Sequence, residues 1–241
     1  MPSVFGTVRN MAKAQPILGV EFVEMDVCDD ASIRAGIYSI IGRANRIDVL
    51  VNNAGFLISG SVEETSLTEA TALFDTNVLG ILRTTKAVLP HMRAQGSGRI
   101  VNVSSVLGFL PAPYAGLYAA SKHAVEGLSE SLDHEVRQFG IRVVLVEPGF
   151  TKTNLDTNSQ QAANLISAYD EERGRVAQAI HKNMGKAPEP DGVANTIVEA
   201  AFGKWKMRRP PKGQAALLSK LRRFMPACLV DSSLRKDFGL G

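Results

Sequence analysis

The stretch at residues 104–130 reads SSVLGFLPAPYAGLYAASKHAVEGLSE and joins a predicted strand to a predicted helix. It follows an apolar run, passes through a loop rich in proline and glycine, and then enters a helical pattern. Tyr118 and Lys122 stand four residues apart early in that pattern, and positions i and i+4 lie on one helical face. The sequence therefore predicts a phenol and an ammonium side by side, with Ser104 and Ser105 delivered nearby by the loop. An acid, a cation that tunes it and a hydroxyl donor are suited to polarising a carbonyl.

Short apolar runs alternate with helical patterns along the first two thirds of the chain. The runs predict strands at residues 3–8, 20–25, 47–51, 99–103 and 141–147. Segments of helical periodicity separate the runs, and Ser66 with Glu69 predicts a capping box at the start of one of them. Strands that alternate with helices of this length indicate βαβ units. The sequence therefore predicts the α/β fold class, with a doubly wound parallel sheet and helices on both faces.

A polar residue or a glycine stands within two residues after the end of four of the predicted strands. These residues are Asp26, Asn53, Ser105 and Gly149. In open parallel α/β sheets the ligand binds outside the carboxyl ends of the strands. We therefore expect the four positions to line one ligand-binding crevice.

Composition narrows the class of protein. The chain has 241 residues, 45% of them hydrophobic and 21% charged, which suits a single domain spanning residues 1–241. No apolar run reaches the roughly 18 residues of a membrane span, and no signal peptide is recognisable at the N-terminus. Cys28, Cys228 and the four histidines match no metal-binding or redox spacing. We expect a cytoplasmic protein with buried free thiols and without a metal site.

Residues 204–241 form a basic C-terminal extension of the same domain. Up to Lys236 this extension contains ten basic residues and one acidic residue, whereas the net charge of the whole chain is +3. Such a segment leaves open a peripheral contact with anionic lipid. The interpretation that we favour is a solvated basic helix whose Leu217, Leu218 and Leu221 pack inward. No zinc knuckle or aromatic-rich basic motif is present, so we expect no nucleic-acid partner.

Five short motifs resemble those of the short-chain dehydrogenase/reductase family. They are NNAG at residues 52–55, Asn77 within DTNVLG, NVSS ending at Ser105, YAASK at residues 118–122 and PGFTKT at residues 148–153. One of these motifs alone would be a weak signal, whereas five in the family's order and spacing are a strong one. The resemblance implies a Rossmann-like fold and an oxidoreductase that uses a nicotinamide cofactor.

The resemblance implies four catalytic residues, which are Asn77, Ser105, Tyr118 and Lys122. The family's serine stands thirteen residues before the tyrosine, which selects Ser105 over its neighbour. Tyr118 would act as general acid/base with its pKa lowered by Lys122, and Ser105 would hydrogen-bond the substrate oxygen. In the family the asparagine interrupts its helix locally and holds a water in a proton relay. Tyr114 would line the substrate pocket.

The residue type after the first predicted strand bears on the cofactor. An acid there would bind a ribose 2′-hydroxyl, whereas a nearby arginine accommodates a 2′-phosphate. The chain has Thr7 and Arg9 in this place and no acid before Glu21, which favours NADP(H) over NAD(H). The set expected at the cofactor is Arg9, Asp26, Val27, Asn53, Ala54, Gly55, Tyr118, Lys122, Pro148, Gly149, Thr151 and Thr153.

One feature of the family is missing from the sequence. The family begins with a strand and a TGxxxGxG-type turn, which holds the cofactor diphosphate at a helix N-terminus. No such turn occurs here, and the glycines at residues 96–98 precede a strand instead of following one. The first predicted strand corresponds to the family's second, so we expect the family's first strand and helix to be lacking and two strand edges to stay unpaired. A truncated gene model, a fragment and a degenerate copy are all compatible with this, and we expect weak nucleotide binding.

The predicted function is the interconversion of an alcohol and a ketone or aldehyde by hydride transfer with NADP(H). A last edge strand predicted after Trp205 resembles the C-terminal part of family members that act on steroid or retinoid alcohols, which suggests a small lipophilic substrate. The alternative is a non-catalytic nucleotide-sensing or scaffold protein on a degenerate oxidoreductase fold. Formation of a homo-oligomer stays open.

Overall fold

The computed structural model describes residues 3–153, 155 and 159–240. Its strands are β1 (Val4–Val8), β2 (Val20–Glu24), β3 (Val49–Asn52), β4 (Ile58–Ser59), β5 (Gly98–Val103), β6 (Ile141–Val146), β7 (Gln160–Gln161) and β8 (Arg208–Arg209). Its longer helices are α1 (Asp30–Ala44), α2 (Leu67–Phe74), α3 (Gly80–Gln95), α4 (Gly116–Val136), α5 (Asp170–Gly185), α6 (Asp191–Phe202), α7 (Gln214–Phe224) and α8 (Ala227–Asp237).

Every strand pair in the described part of the chain is parallel. The largest sheet has the order β3-β5-β6-β8, and the pairs β1-β2 and β4-β7 form two smaller sheets. The predicted parallel α/β fold class is therefore confirmed, including the edge strand after Trp205. Within the described residues no strand is hydrogen-bonded between β1 and β3. This separation agrees with the expected pair of unpaired edges.

One apolar cluster links the β1-β2 pair to the largest sheet. It contains Val23 of β2 and Ile100 of β5, packed together with side chains of α1 and α3. Burial of such side chains is the main favourable contribution to folding, at roughly 1.5–3 kcal/mol for each large aliphatic residue. The two sheets are thus held by shared helices and not by hydrogen bonds between strands.

The strand β6 is covered on both faces, as its nearly unbroken apolar sequence predicts. Val143 packs into the cluster that holds α1 and α3. Val144 and Val146 point the other way, because successive strand residues face opposite sides of a sheet, and they pack against Ala200 of α6. Helices therefore lie on both faces of the sheet.

Local signals in the sequence set several helix ends. The Asp29 side chain accepts from the Ala31 amide at 2.8 Å and caps α1. Ser66 and Glu69 form the predicted capping box at the start of α2. Each cap satisfies backbone donors that the helix leaves unpaired and contributes about 1 kcal/mol. After α4, Gly140 takes a φ of 72°, and a Cβ there would collide with the Gly96 carbonyl oxygen.

Two expectations about side-chain burial are wrong. Cys28 and Cys228 are both exposed. On α7, Leu217 and Leu221 are 56% and 40% exposed, because the helix packs on the protein through the face that carries Ala215. None of the described helices is both long and apolar enough to cross a membrane.

Candidate active site

Tyr118 and Lys122 lie together on α4, where the i and i+4 spacing predicts them. Lys122 Nζ is 5.6 Å from the centroid of the Tyr118 ring. The same ammonium donates to the Val103 carbonyl at 2.8 Å, at the end of β5. Both side chains are 6% exposed. A buried cation is therefore held against a buried phenol at the carboxyl edge of the sheet.

Burial lowers the pKa of Lys122 to about 8, and the carboxylate of Glu126 one helical turn later opposes this shift. The lysine is thus still mainly cationic at neutral pH, although its pKa lies closer to 7 than that of an exposed lysine. A cation beside a phenol favours the phenolate form of that phenol. Lys122 therefore has the charge and the position to tune Tyr118.

Asn77 lies in a turn of π-helix, Asp75–Leu79, between α2 and α3. Its fully buried amide spans the loop after β3: Oδ1 accepts from the Phe56 amide at 3.0 Å, and Nδ2 donates to the Phe56 carbonyl at 3.0 Å. Nδ2 also donates to Ser121 Oγ on α4 at 3.2 Å. The local helix interruption that the resemblance implies is confirmed. It directs the Asn77 side chain to Ser121 of α4.

Gly55 brings the NNAG segment against both of these residues. A Cβ at Gly55 would lie 3.0 Å from Asn77 Oδ1 and 3.9 Å from Lys122 Nζ. Only a glycine leaves this space open, and Asn53, Ala54 and Gly55 are all exposed. The segment therefore offers an open stretch of backbone beside the lysine.

The two serines at the end of β5 have different surroundings. The half-buried Ser105 hydroxyl accepts from the Leu107 amide at 3.1 Å and donates to the Pro148 carbonyl at 3.4 Å, a long and weak hydrogen bond. Ser104 is 3% exposed and turns inward, where its Oγ would be 2.7 Å from a Cβ on Gly108. Ser105 is thus the serine beside the PGFTKT segment.

The other residues expected at the cofactor lie at the carboxyl ends of several strands. Arg9 is exposed after β1, and Asp26 follows β2, where its Oδ1 accepts from the Cys28 amide at 2.9 Å. The Val27 carbonyl accepts from Arg83 of α3 at 3.3 Å, which fixes this segment beside the π-helical turn. The remaining members follow β6: they are the half-buried Pro148, Gly149 and Thr151 and the exposed Thr153.

Sequence reasoning missed a buried polar chain beneath the site. Asn52 Nδ2 donates to Asn102 Oδ1 at 2.8 Å across the pair of strands β3 and β5. From there the chain of hydrogen bonds reaches α3 through Thr84 and α4 through Ser129. A polar residue near the end of each apolar strand was the available signal. These bonds tie the strand ends to both helices of the site.

A second missed feature is a pair of buried carboxylates behind Lys122. Glu126 and Glu147 are 4% and 0% exposed, and the guanidinium of Arg208 forms ion pairs with both. Burial raises the pKa of Glu147 to about 7, the charge of Glu126 adds to this rise, and Arg208 opposes it. Burial also raises the pKa of Glu126. The signal was an acid, Glu147, directly after the apolar run at residues 143–146.

A cleft of about 160 Å³ lies next to Tyr114, four residues before Tyr118. Its lining combines the Tyr114 ring with Val176 and Ile180 of α5 and the polar residues Gln160 and Gln161 of β7. The lining does not include the four residues predicted to be catalytic, which are Asn77, Ser105, Tyr118 and Lys122. Among the described residues, no group of three or more histidines, cysteines or carboxylates could hold a metal ion.

Comparison with known proteins agrees with the motif pattern. The family model described as short chain dehydrogenase matches residues 7–164. A 3-ketodihydrosphingosine reductase of Bacteroides thetaiotaomicron is 42% identical over 96% of this chain and 87% of its own length. Retinol dehydrogenase 8 of Bos taurus is 44% identical over 81% of this chain and 68% of its own length.

Solved structures give the same assignment. A short-chain dehydrogenase from Streptomyces avermitilis superposes with a TM-score of 0.78 at 33% identity, covering 97% of this chain and 87% of that one. A structure of ElxO with NADP bound has a TM-score of 0.72 at 29% identity, covering 87% and 86%. A short chain dehydrogenase/reductase from Burkholderia phymatum in complex with NAD has a TM-score of 0.72 at 26% identity, covering 85% and 74%. The chain therefore belongs to the short-chain dehydrogenase/reductase family of NAD(P)-dependent oxidoreductases.

Proposed function

We propose that the chain interconverts an alcohol and a ketone or aldehyde with NADP(H), with Tyr118 as the general acid/base. The observation that carries the proposal is the buried Lys122 ammonium, 5.6 Å from the Tyr118 ring centroid. Lowering the pKa of a tyrosine from 10 to about 7 requires roughly 4 kcal/mol. A positive charge at this distance contributes about 3 kcal/mol at an effective dielectric constant near 20. The charge of Lys122 can therefore account for most of the decrease in the pKa of Tyr118 that the reaction requires.

The residues around Gly55 fit a nicotinamide cofactor. The space that a Cβ would fill at Gly55, next to Asn77 and Lys122, is a cradle for a group that approaches the backbone closely. Lys122, Asn53–Gly55 and the exposed or half-buried residues 148–153 would hold this cofactor. When bound, NADP(H) supplies or takes up the hydride.

The chain's own residues handle the proton. In the direction of reduction, the Tyr118 hydroxyl donates a proton to the carbonyl oxygen of the substrate. Ser105 hydrogen-bonds the same oxygen as negative charge develops on it, and its long bond to Pro148 is easily given up. Asn77 holds the Phe56 backbone and Ser121 in place, so that the loop after β3 and α4 keep a fixed spacing.

Arg9 supports NADP(H) over NAD(H). It is exposed at the carboxyl end of β1, where a guanidinium can meet a 2′-phosphate, and the preceding strand carries no acid. The solved relatives were determined with NADP in one case and NAD in another, so the family relationship alone does not choose between the two cofactors.

We propose a lipophilic substrate. The names of two relatives, a 3-ketodihydrosphingosine reductase and a retinol dehydrogenase, support this class. The apolar side of the cleft at Tyr114, formed by Val176 and Ile180, supports it as well.

We also propose a cytoplasmic location, because two exposed unpaired thiols suit a reducing compartment.

The test is oxidation of NADPH in the presence of 3-ketodihydrosphingosine or retinal, followed by the absorbance of the reduced nicotinamide. We expect Tyr118→Phe to lower kcat/KM by at least about 100-fold, since a general acid contributes that much. Tyr38→Phe is the matched control, because Tyr38 is 82% exposed on α1, and it should keep most of the activity. A Tyr118→Phe variant that works at nearly the wild-type rate would refute the role of Tyr118.

A second candidate function is a non-catalytic nucleotide sensor or scaffold. The separation of β1 and β2 from the largest sheet favours it, because strand edges next to the cofactor region stay unpaired. Under this alternative, NADPH binds but is not oxidised with either carbonyl compound. Wild type and Tyr118→Phe would then behave alike in both binding and turnover.

A further inference from the structure

The outer face of α7 carries an apolar stripe. Leu217, Leu221 and Phe224 follow one another at i, i+4 and i+7 and therefore share one side of the helix. They are 56%, 40% and 80% exposed. Three large apolar side chains in a row, turned to solvent, are unusual on a helix whose other side already packs on the protein.

The inner side of α7 is fixed next to the candidate active site. Ala215 is buried, and its Cβ would be 3.9 Å from a Cβ on Gly149. Arg222 donates to the Phe109 carbonyl at 3.1 Å, in the loop that follows Ser105. The helix thus sits on the two loops that leave β5 and β6. Its orientation is set, and its apolar stripe is directed away from the site.

Exposed lysines lie next to the stripe. Lys220 lies three residues after Leu217 and four before Phe224, so it borders the stripe on the helix surface. Lys220 and the preceding Lys212 are exposed, and neither forms an ion pair with any residue that the structure describes. Residues 212–240 contain six basic and two acidic residues. Leu229 of the next helix, α8, is also 53% exposed.

We propose that α7 docks on the surface of a membrane that contains anionic lipid. Leu217, Leu221 and Phe224 insert at the boundary between headgroups and acyl chains, while Lys212 and Lys220 contact the headgroups. A helix with one apolar face and adjacent basic residues is the pattern of an interfacial membrane helix. A purely apolar protein partner would match the stripe but would leave the lysines without counter-charges.

The docked orientation places α7 between the bilayer and the loops at Ser105 and Gly149, so these loops lie about one helix diameter, roughly 10 Å, from the membrane surface. The site is then held near the bilayer in which a lipophilic carbonyl compound dissolves. This consequence for the substrate rests on the proposed function. The docking itself involves neither cofactor nor substrate, so it can be tested independently of any activity.

The test is sedimentation of the full chain with vesicles of phosphatidylcholine and phosphatidylserine in equal amounts, and with vesicles of phosphatidylcholine alone. We expect binding to the mixed vesicles, weaker binding to the neutral ones, and loss of binding at high salt. The combined variant Leu217→Ser, Leu221→Ser and Phe224→Ser should lose at least tenfold in partition to the mixed vesicles. Lys212→Glu with Lys220→Glu should reduce binding to the mixed vesicles only.

The matched control replaces three exposed apolar residues elsewhere, Tyr38→Ser, Val198→Ser and Phe202→Ser, and should bind like wild type. Circular dichroism and thermal unfolding establish that all variants are folded. Tyr118→Phe should also bind like wild type, so a failure of the proposed function would leave this result unchanged. Equal sedimentation of wild type and the stripe variant would overturn the proposal. The proposal would also be overturned if the wild type bound no vesicles but formed a dimer, and if the stripe variant were a monomer.

Discussion

Asn77 donates from its buried amide nitrogen to Ser121 Oγ at 3.2 Å, and Ser121 in turn donates to the Tyr118 carbonyl at 2.7 Å. The π-helical turn and α4 are therefore joined through Ser121, which is bonded to the backbone of Tyr118, the residue proposed as general acid/base. The same Asn77 amide holds both backbone groups of Phe56. One side chain thus sets the spacing of three segments.

Asn77→Ala should destabilise the protein by about 2–4 kcal/mol, because the Phe56 amide and carbonyl lose their partner in a buried place. The free energy of unfolding by urea is the measurement. Asn164→Ala is the control: Asn164 is exposed, and its replacement should change stability by less than about 0.5 kcal/mol. Equal effects of the two substitutions would contradict the positioning role of Asn77.

The buried Glu147 makes stability depend on pH. Its pKa is about 7 in the folded chain and 4.5 ordinarily, so between these values the folded state holds a proton that the unfolded state has released. The contribution of Glu147 to the free energy of unfolding is therefore fully present below about pH 4.5, and it is lost as the pH rises through 7. At 1.36 kcal/mol for each pH unit, this loss is at most about 3 kcal/mol.

Glu147→Gln should flatten the decrease in unfolding free energy between pH about 5 and about 8. The urea midpoint at several pH values measures this. Glu130→Gln removes another carboxylate that pairs with Arg208, but one whose side chain is 47% exposed, and should keep the wild-type pH dependence. If Glu147→Gln shows the same slope as wild type, the buried Glu147 carboxyl does not titrate in this range.

Arg9 should decide the choice of cofactor. Arg9→Ala should lower the affinity for NADPH relative to NADH by about 10–100-fold, since a charge-assisted contact to phosphate contributes roughly 1.5–3 kcal/mol. Calorimetric titration with both cofactors is the measurement, and Lys13→Ala is a control at an exposed base outside the predicted contact. An unchanged ratio in Arg9→Ala would exclude Arg9 as the 2′-phosphate contact.

Two glycines, one inside α4 and one shortly after it, should respond in opposite directions to alanine. Gly140→Ala should destabilise the protein by more than about 1 kcal/mol, because its φ of 72° and the nearby Gly96 carbonyl leave no room for a Cβ. Gly127 lies inside the helix with nothing within 4 Å of its Cβ position, so Gly127→Ala should stabilise by about 0.5–1 kcal/mol. Thermal unfolding of both variants gives the comparison, and a shift of the same sign in both would be unexpected.

The order of the elements and the predicted centre of the site follow from local patterns in the sequence. Alternating apolar runs predict a parallel α/β fold because local periodicity and caps set strands and helices. The spacing from Tyr118 to Lys122 predicts their contact, since one helical turn joins the two positions whatever surrounds them. The spacing of the motifs selects Ser105, and the absent glycine turn predicts the separation of β1 from β3.

Which distant groups share a buried space became clear from the three-dimensional structure alone. Glu126, Glu147 and Arg208 come from three different elements, and their shared burial, which shifts the pKa of Glu147, has no local signature. The exposure of Leu217 and Leu221 is of the same kind, because an amphipathic pattern shows that a helix has an apolar face but not what covers it. Periodicity is a property of neighbours along the chain, whereas burial and ion pairing depend on residues that the fold brings together from far apart.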